Sequence, residues 1–96
     1  PLEIDAVLAL CPGVKRGQTV GVPHDTLGEM VVSCVVSHEG TTLDEEDVRV
    51  WLKQRLASFK VPRRVLVLHE DEVQVTGNGK VKIGELRELA QRRLAG

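Results

Sequence analysis

Apolar positions along this chain recur with changing period, and the changes divide it into elements. Ile4, Val7 and Leu8 repeat at helical spacing until Pro12 and Gly13, with Glu3 and Asp5 in a first turn that Pro1 can open, so a short helix is expected there. From Gln18 to Val22 and from Met30 to Ser37 the residues are rich in β-formers, and Pro23, His24, Asp25 and Gly28 between them are turn formers. Two strands are predicted. The second reads Met-Val-Val-Ser-Cys-Val-Val, a nearly unbroken apolar run, which places it centrally in a sheet with cover on at least one face.

Helical spacing returns at Val48, Trp51, Leu52, Arg55 and Leu56. Just ahead, Thr42-Leu43-Asp44-Glu45 has the form of a capping box, in which the Thr42 hydroxyl takes an orphan amide and Glu45 reaches back. Glu45 and Arg49 make an expected i,i+4 pair, and the helix ends before Pro62. Arg64 to Leu68 is a third β-rich run. The acids Glu70, Asp71 and Glu72 then lead to Val73 and a glycine-rich loop, after which Leu86, Leu89, Ala90 and Leu94 mark a last helix with Glu88 and Arg92 at i,i+4. Three helices and at least three strands in this order imply an α+β fold, a small two-layer sandwich of helices against a sheet. Trp51 and Phe59, the only aromatic residues, are read as core.

A chain of 96 residues makes one small domain with a modest core, which argues against a complete two-substrate enzyme. Its 42% hydrophobic and 28% charged composition is that of a soluble globular domain, with no apolar run near the ~20 residues of a membrane helix and no signal peptide or tail anchor. Cys11 and Cys34 lack C-x-x-C spacing, and Cys34 sits in the apolar run Met30 to Val36, so a buried thiol is expected there and a reducing cytoplasm for the protein. His24, His38 and His69 share no ligand spacing with them, and no metal is expected within the domain. Charge is divided. Residues 1–48 carry two bases against nine acids and residues 49–96 eleven bases against five acids, so the second half can face phosphates or simply solvate its helices.

The segment richest in chemical meaning is Thr76-Gly77-Asn78-Gly79-Lys80, directly before the last helix. Two glycines permit backbone that other residues resist, and a lysine on such a loop suits an anion whose charge redistributes during reaction. It is not a nucleoside-triphosphate P-loop: one residue separates the glycines, and Val81 stands where Ser or Thr would bind magnesium. A plain hairpin turn at Asn78-Gly79 is the competing reading.

Taken with three other segments, the loop resembles the small C-terminal domain of the adenylate-forming enzymes: acyl-CoA synthetases, peptide-synthetase adenylation domains and luciferases. Those segments are residues 1–8, Val20-Gly21-Val22-Pro23-His24-Asp25 with Gly28-Glu29, and Phe59-Lys60-Val61-Pro62-Arg63-Arg64, and together they span nearly the whole chain. One departure is Gln74, where the family usually has proline, which puts the rigidity of the loop in question.

The resemblance implies a large N-terminal adenylation domain and a hinge ahead of residues 1–96. In the family the lysine matching Lys80 enters the active site of that domain and assists adenylation of a carboxylic acid by ATP, with Thr76, Gly77, Asn78 and Gly79 forming the adenylate loop. The domain then rotates as a body for thioester formation, which implies CoA contacts at Lys53, Lys60 and Arg63. Mg2+ is expected in the full enzyme but outside this domain. The motif at Phe59 is most like that of fatty-acid or medium-chain acyl-CoA synthetases, which implies a ligase of fatty acid metabolism. A carrier protein in place of CoA is the alternative acceptor. From another class, a non-catalytic module binding nucleic acid through the basic half is disfavoured, because Trp51 and Phe59 as core residues leave no stacking platform.

Overall fold

The computed structural model describes residues 2–95, and the expected helix start at Pro1 lies outside them. The first helix, α1, spans Leu2–Leu8 and turns Ile4 and Leu8 into the core. Asp5 fastens it to the following strand, its carboxylate accepting the Thr19 amide at 2.8 Å and the Gln18 side-chain amide at 3.0 Å. Gly13, at φ 87°, reverses the chain into β1 (Val14–His24). The strand pairs antiparallel with β2 (Gly28–Ser37) across a turn in which the His24 Nδ1 accepts the amides of Thr26 and Leu27.

From β2 the chain crosses over through α2 (Glu45–Lys53) to β3 (Arg64–Leu68), which lies parallel to β2, so the strand order is β1-β2-β3. The last helix, α3, spans Ile83–Ala95. This is the expected α+β fold of three helices on a small sheet, and the helices are shared between its faces. Ile4 and Leu8 of α1 and Val48 and Leu52 of α2 pack with Val35 and Val65, while Leu86 and Ala90 of α3 pack with Val32, Cys34, Val36 and Leu68. Alternate residues of β2 therefore serve opposite cores, which is why its sequence is apolar without alternation. Cys34 is a buried free thiol, as expected, and so is Cys11. No described helix is long and apolar enough to cross a membrane.

Three local expectations are corrected. The cap of α2 is Asp44, whose Oδ2 accepts the amides of Glu46 and Asp47, so Thr42 lies two residues too early. Glu45 does not pair with Arg49. It turns to β3, where Arg64 and the Val65 amide offer three donors at 2.7–3.2 Å, and Arg49 bonds Glu46 instead. Phe59 is not core: it is 83% exposed on a single 3-10 turn at Ser58–Lys60, whereas Trp51 is half-buried against the core with Arg55 stacked 3.9 Å from its ring centroid. Just beyond the turn, Val61 packs against the core and Pro62 is fully buried, so they take the burial expected of Phe59.

Candidate functional site

Between β3 and α3 the chain forms a second, smaller hairpin that carries Lys80. A 3-10 turn at Glu70–Glu72 opens it, with the Glu72 carboxylate accepting the His69 amide at 2.8 Å and pairing with Arg93 of α3. Lys15 and Arg16 of β1 hold Glu70 from the other side, and the Lys15 ammonium keeps that carboxyl below its ordinary pKa. The base of the hairpin is thus clamped to both the sheet and α3. Above it, Val75 and Val81 form an isolated bridge, and the Lys82 amide bonds the Gln74 carbonyl at 2.9 Å.

At the tip, the Gly79 amide donates to the Thr76 carbonyl and the Thr76 amide to the Lys80 carbonyl, at 2.9 and 2.7 Å. Gly79 alone of the loop has positive φ, at 80°. That is a three-residue hairpin loop, a turn closed by a left-handed glycine bulge. The Thr76 hydroxyl accepts the amides of Asn78 and Lys80 at 3.3 Å each. The amides of Thr76, Asn78, Gly79 and Lys80 are bonded within the hairpin, and the Lys80 ammonium is exposed and makes no ion pair among the described residues. The competing turn reading is thus part of the geometry: the loop is a tight hairpin turn, and Lys80 is the exposed base that follows it.

The other three predicted bases separate. Lys53 and Arg63 line one depression of about 400 Å³ with Arg49, Ser58 and Val61. Neither Lys53 nor Arg63 has an acid partner among the described residues. Lys60 points elsewhere, its ammonium 2.6 Å from Glu3 on α1. Arg49 was missed as a member of this depression, although its position one helical turn before Lys53 was a usable signal. Its Nε donates to the Pro62 carbonyl at 3.3 Å, joining α2 to the loop that presents Arg63. Val61 packs on the α1/α2 side of the sheet and Val81, beside Lys80, on the α3 side, so the depression and the lysine hairpin belong to opposite cores. No group of three His, Cys, Asp or Glu side chains suited to a metal occurs among the described residues.

Residues 3–80 match the family described as AMP-binding enzyme C-terminal domain. An oxalate–CoA ligase from Arabidopsis thaliana is 43% identical over 82 residues, 85% of this chain and 16% of that protein. Among solved structures, ATP-bound MatB from Rhodopseudomonas palustris is 36% identical with a TM-score of 0.84, covering 95% of this chain and 18% of that one. A fatty acyl CoA synthetase from Mycobacterium tuberculosis has a TM-score of 0.86 at 27% identity, covering 97% and 18%. The chain spans less than a fifth of the length of these relatives. With the family matched from α1 through the Lys80 hairpin and the fold shared throughout, the chain belongs to the C-terminal domain family of the AMP-binding, adenylate-forming enzymes.

Proposed function

We propose that the chain is the small mobile domain of an acyl-CoA synthetase and that it lends Lys80 to the adenylation of a carboxylic acid by ATP. The observation that carries this is an ammonium without an acid partner, held out on a hairpin that is clamped at its base and closed at its tip. In the first half-reaction a carboxylate oxygen attacks the α-phosphorus of ATP, the bond to the bridging oxygen breaks, and pyrophosphate leaves. Two anions must approach for this, and Lys80 between a carboxylate oxygen and an α-phosphate oxygen lowers their repulsion. In the second, the thiol of CoA attacks the acyl carbonyl and AMP leaves.

The same domain serves both steps by rotating against a large N-terminal domain, which withdraws Lys80 and offers another face to CoA. Lys53 and Arg63, with Arg49 beside them, are the bases available to its phosphates. Lys60, tied to Glu3, supports the turn that carries Phe59 and takes a lesser part. Mg2+ belongs to the full enzyme, held by residues outside this domain. Relatives named for oxalate and for fatty acyl substrates share this domain, so the acid is selected by the large domain; a fatty acid is the reading that the motif at Phe59 favours, and the two free thiols favour a reducing cytoplasm.

The test is carboxylate-dependent ATP–pyrophosphate exchange by the full-length enzyme. Lys80→Ala lowers it by about 10²–10³ without unfolding the domain, the usual effect of removing one preorganised charge. Exchange at the wild-type rate in Lys80→Ala would end this reading.

A further inference from the structure

Asn78 is the only asparagine of the chain, and Gly79 follows it at the tip of the lysine hairpin. The pair has a chemistry of its own. The backbone nitrogen that follows an asparagine can close a five-membered ring on the side-chain carbonyl carbon, and glycine, having no Cβ, obstructs that approach least. Residues 74–80 are all exposed, and the Asn78 carboxamide bonds no described group. A Cβ at Gly77 or Gly79 would meet nothing within 4 Å, so the tip has room for its backbone to change path.

One contact stands in the way. The Gly79 amide donates to the Thr76 carbonyl at 2.9 Å, which ties up the nitrogen that must attack. That restraint is local. Besides it, the tip is held by the Thr76 amide on the Lys80 carbonyl, by two long bonds of 3.3 Å to the Thr76 hydroxyl, and by the isolated Val75–Val81 bridge. Breaking these exposed bonds leaves both cores intact, so the tip opens at a cost far below that of unfolding the domain.

We propose that Asn78-Gly79 is a self-modification site, gated by opening of the hairpin tip, and that its modification silences Lys80. In the open tip the Gly79 amide gives its proton to hydroxide, and its nitrogen bonds the Asn78 Cγ. The Cγ–Nδ2 bond breaks, and the side-chain nitrogen takes a proton from water and leaves as ammonia, closing a succinimide. Water then adds to one of the two ring carbonyls and breaks its bond to the Gly79 nitrogen. Opening at Cγ gives an aspartyl residue, and opening at the main-chain carbonyl gives an isoaspartyl residue. One water is consumed, one ammonia is released, and nothing is oxidised or reduced. Both products put a carboxylate two residues before Lys80, where it competes for the ammonium. The isoaspartyl product also adds a carbon to the main chain and breaks the register of the turn. The loss of Lys80 function rests on the adenylation reading above; the modification itself does not.

The experiment ages the full-length enzyme in mildly alkaline buffer without denaturant. Mass spectrometry follows the peptide that contains Asn78, enzymatic methyl labelling follows isoaspartate, and ATP–pyrophosphate exchange is read on the same samples. The expected result is conversion of the Asn78 amide to an acid, with the methyl label rising alongside it and exchange falling by the same fraction. Transfer of the acyl group from preformed acyl-adenylate to CoA keeps its rate. Asn78→Gln, whose longer side chain must close a six-membered ring, holds its own starting exchange over the same period. An unchanged Asn78 in the native enzyme, or conversion only after denaturant has unfolded it, overturns the inference. So does complete conversion with exchange unchanged in an enzyme that Lys80→Ala cripples. Failure of the adenylation reading looks different: exchange would be insensitive to Lys80→Ala while the mass change at Asn78 still appeared.

Discussion

Thr19 and Ser33 face each other across β1 and β2 with their hydroxyl oxygens 2.8 Å apart, both buried, 4% and 0% exposed. Each is the other's side-chain partner in a place with no water to replace it. Ser33→Ala leaves the Thr19 hydroxyl stranded and should cost about 1–3 kcal/mol, whereas Thr19→Val with Ser33→Ala removes both polar groups and should recover most of that. A double-mutant cycle from denaturant unfolding measures the coupling. Additive single effects would show that the hydroxyls do not depend on each other.

Stability should fall on both sides of neutrality, for different groups. The Arg64 side chain, bonded at 2.7 Å, and the Val65 amide hold the Glu45 carboxyl below its ordinary pKa, outweighing the opposing effect of burial. A carboxyl depressed in the folded state contributes stability that is present above its unfolded pKa of about 4.3 and lost as pH falls through the lower folded value. Glu45→Gln should flatten that acid limb. On the alkaline side, burial pushes the Cys34 thiol up from 9.0 to about 11. A raised thiol keeps its full contribution below 9.0 and loses it as pH rises toward about 11, because the unfolded chain ionises first. Cys34→Ala should remove that dependence, and thermal melts from pH 3 to pH 11 test both limbs.

Much of this was legible from the sequence because the elements obey simple periods. The unbroken run of β2 correctly marked a central strand, and the glycines before Lys80 marked a tight loop, which is a hairpin closed at Gly79. Phe59 was misread because Val61 and Pro62 shortly after it are apolar too, and local pattern does not say which of the three the fold will bury. Glu45 was misread for a related reason. Its i+4 partner is one option among several, and the winning donors come from β3, about twenty residues on, where only the fold brings them near. Arg49 did carry a local signal in its spacing from Lys53, but its link to the Pro62 carbonyl depends on how the loop returns to α2.

The two glycines of the lysine hairpin should respond differently. Gly79 sits at φ 80°, where a Cβ is strained whatever the space around it, so Gly79→Ala should cost about 1–2 kcal/mol locally and slow pyrophosphate exchange by displacing Lys80. Gly77 does not have positive φ, and an added Cβ would meet nothing within 4 Å. Gly77→Ala should therefore change stability by less than about 0.5 kcal/mol and leave exchange largely intact. Equal losses in the two variants would mean that close approach to the nucleotide, and not backbone conformation, is what both glycines provide.

Gln74 replaces the proline usual in the family, and the structure indicates that proline would be accepted there. The Gln74 amide donates to no described group, while its carbonyl, which proline would keep, accepts the Lys82 amide. Val73 before it is extended, at φ −95° and ψ 110°, a conformation compatible with a following proline. Gln74→Pro then removes freedom from the unfolded chain without breaking a hydrogen bond, a gain of about 0.4–1 kcal/mol. In a domain of this size that raises Tm by about 2–8 °C, read by calorimetry. Stiffening the limb that leads to Lys80 should also hold exchange at or above the wild-type rate. A lowered Tm would show that the Gln74 backbone cannot take the φ that proline fixes, and a raised Tm with slower exchange would show that the hairpin must flex to bring Lys80 to the nucleotide.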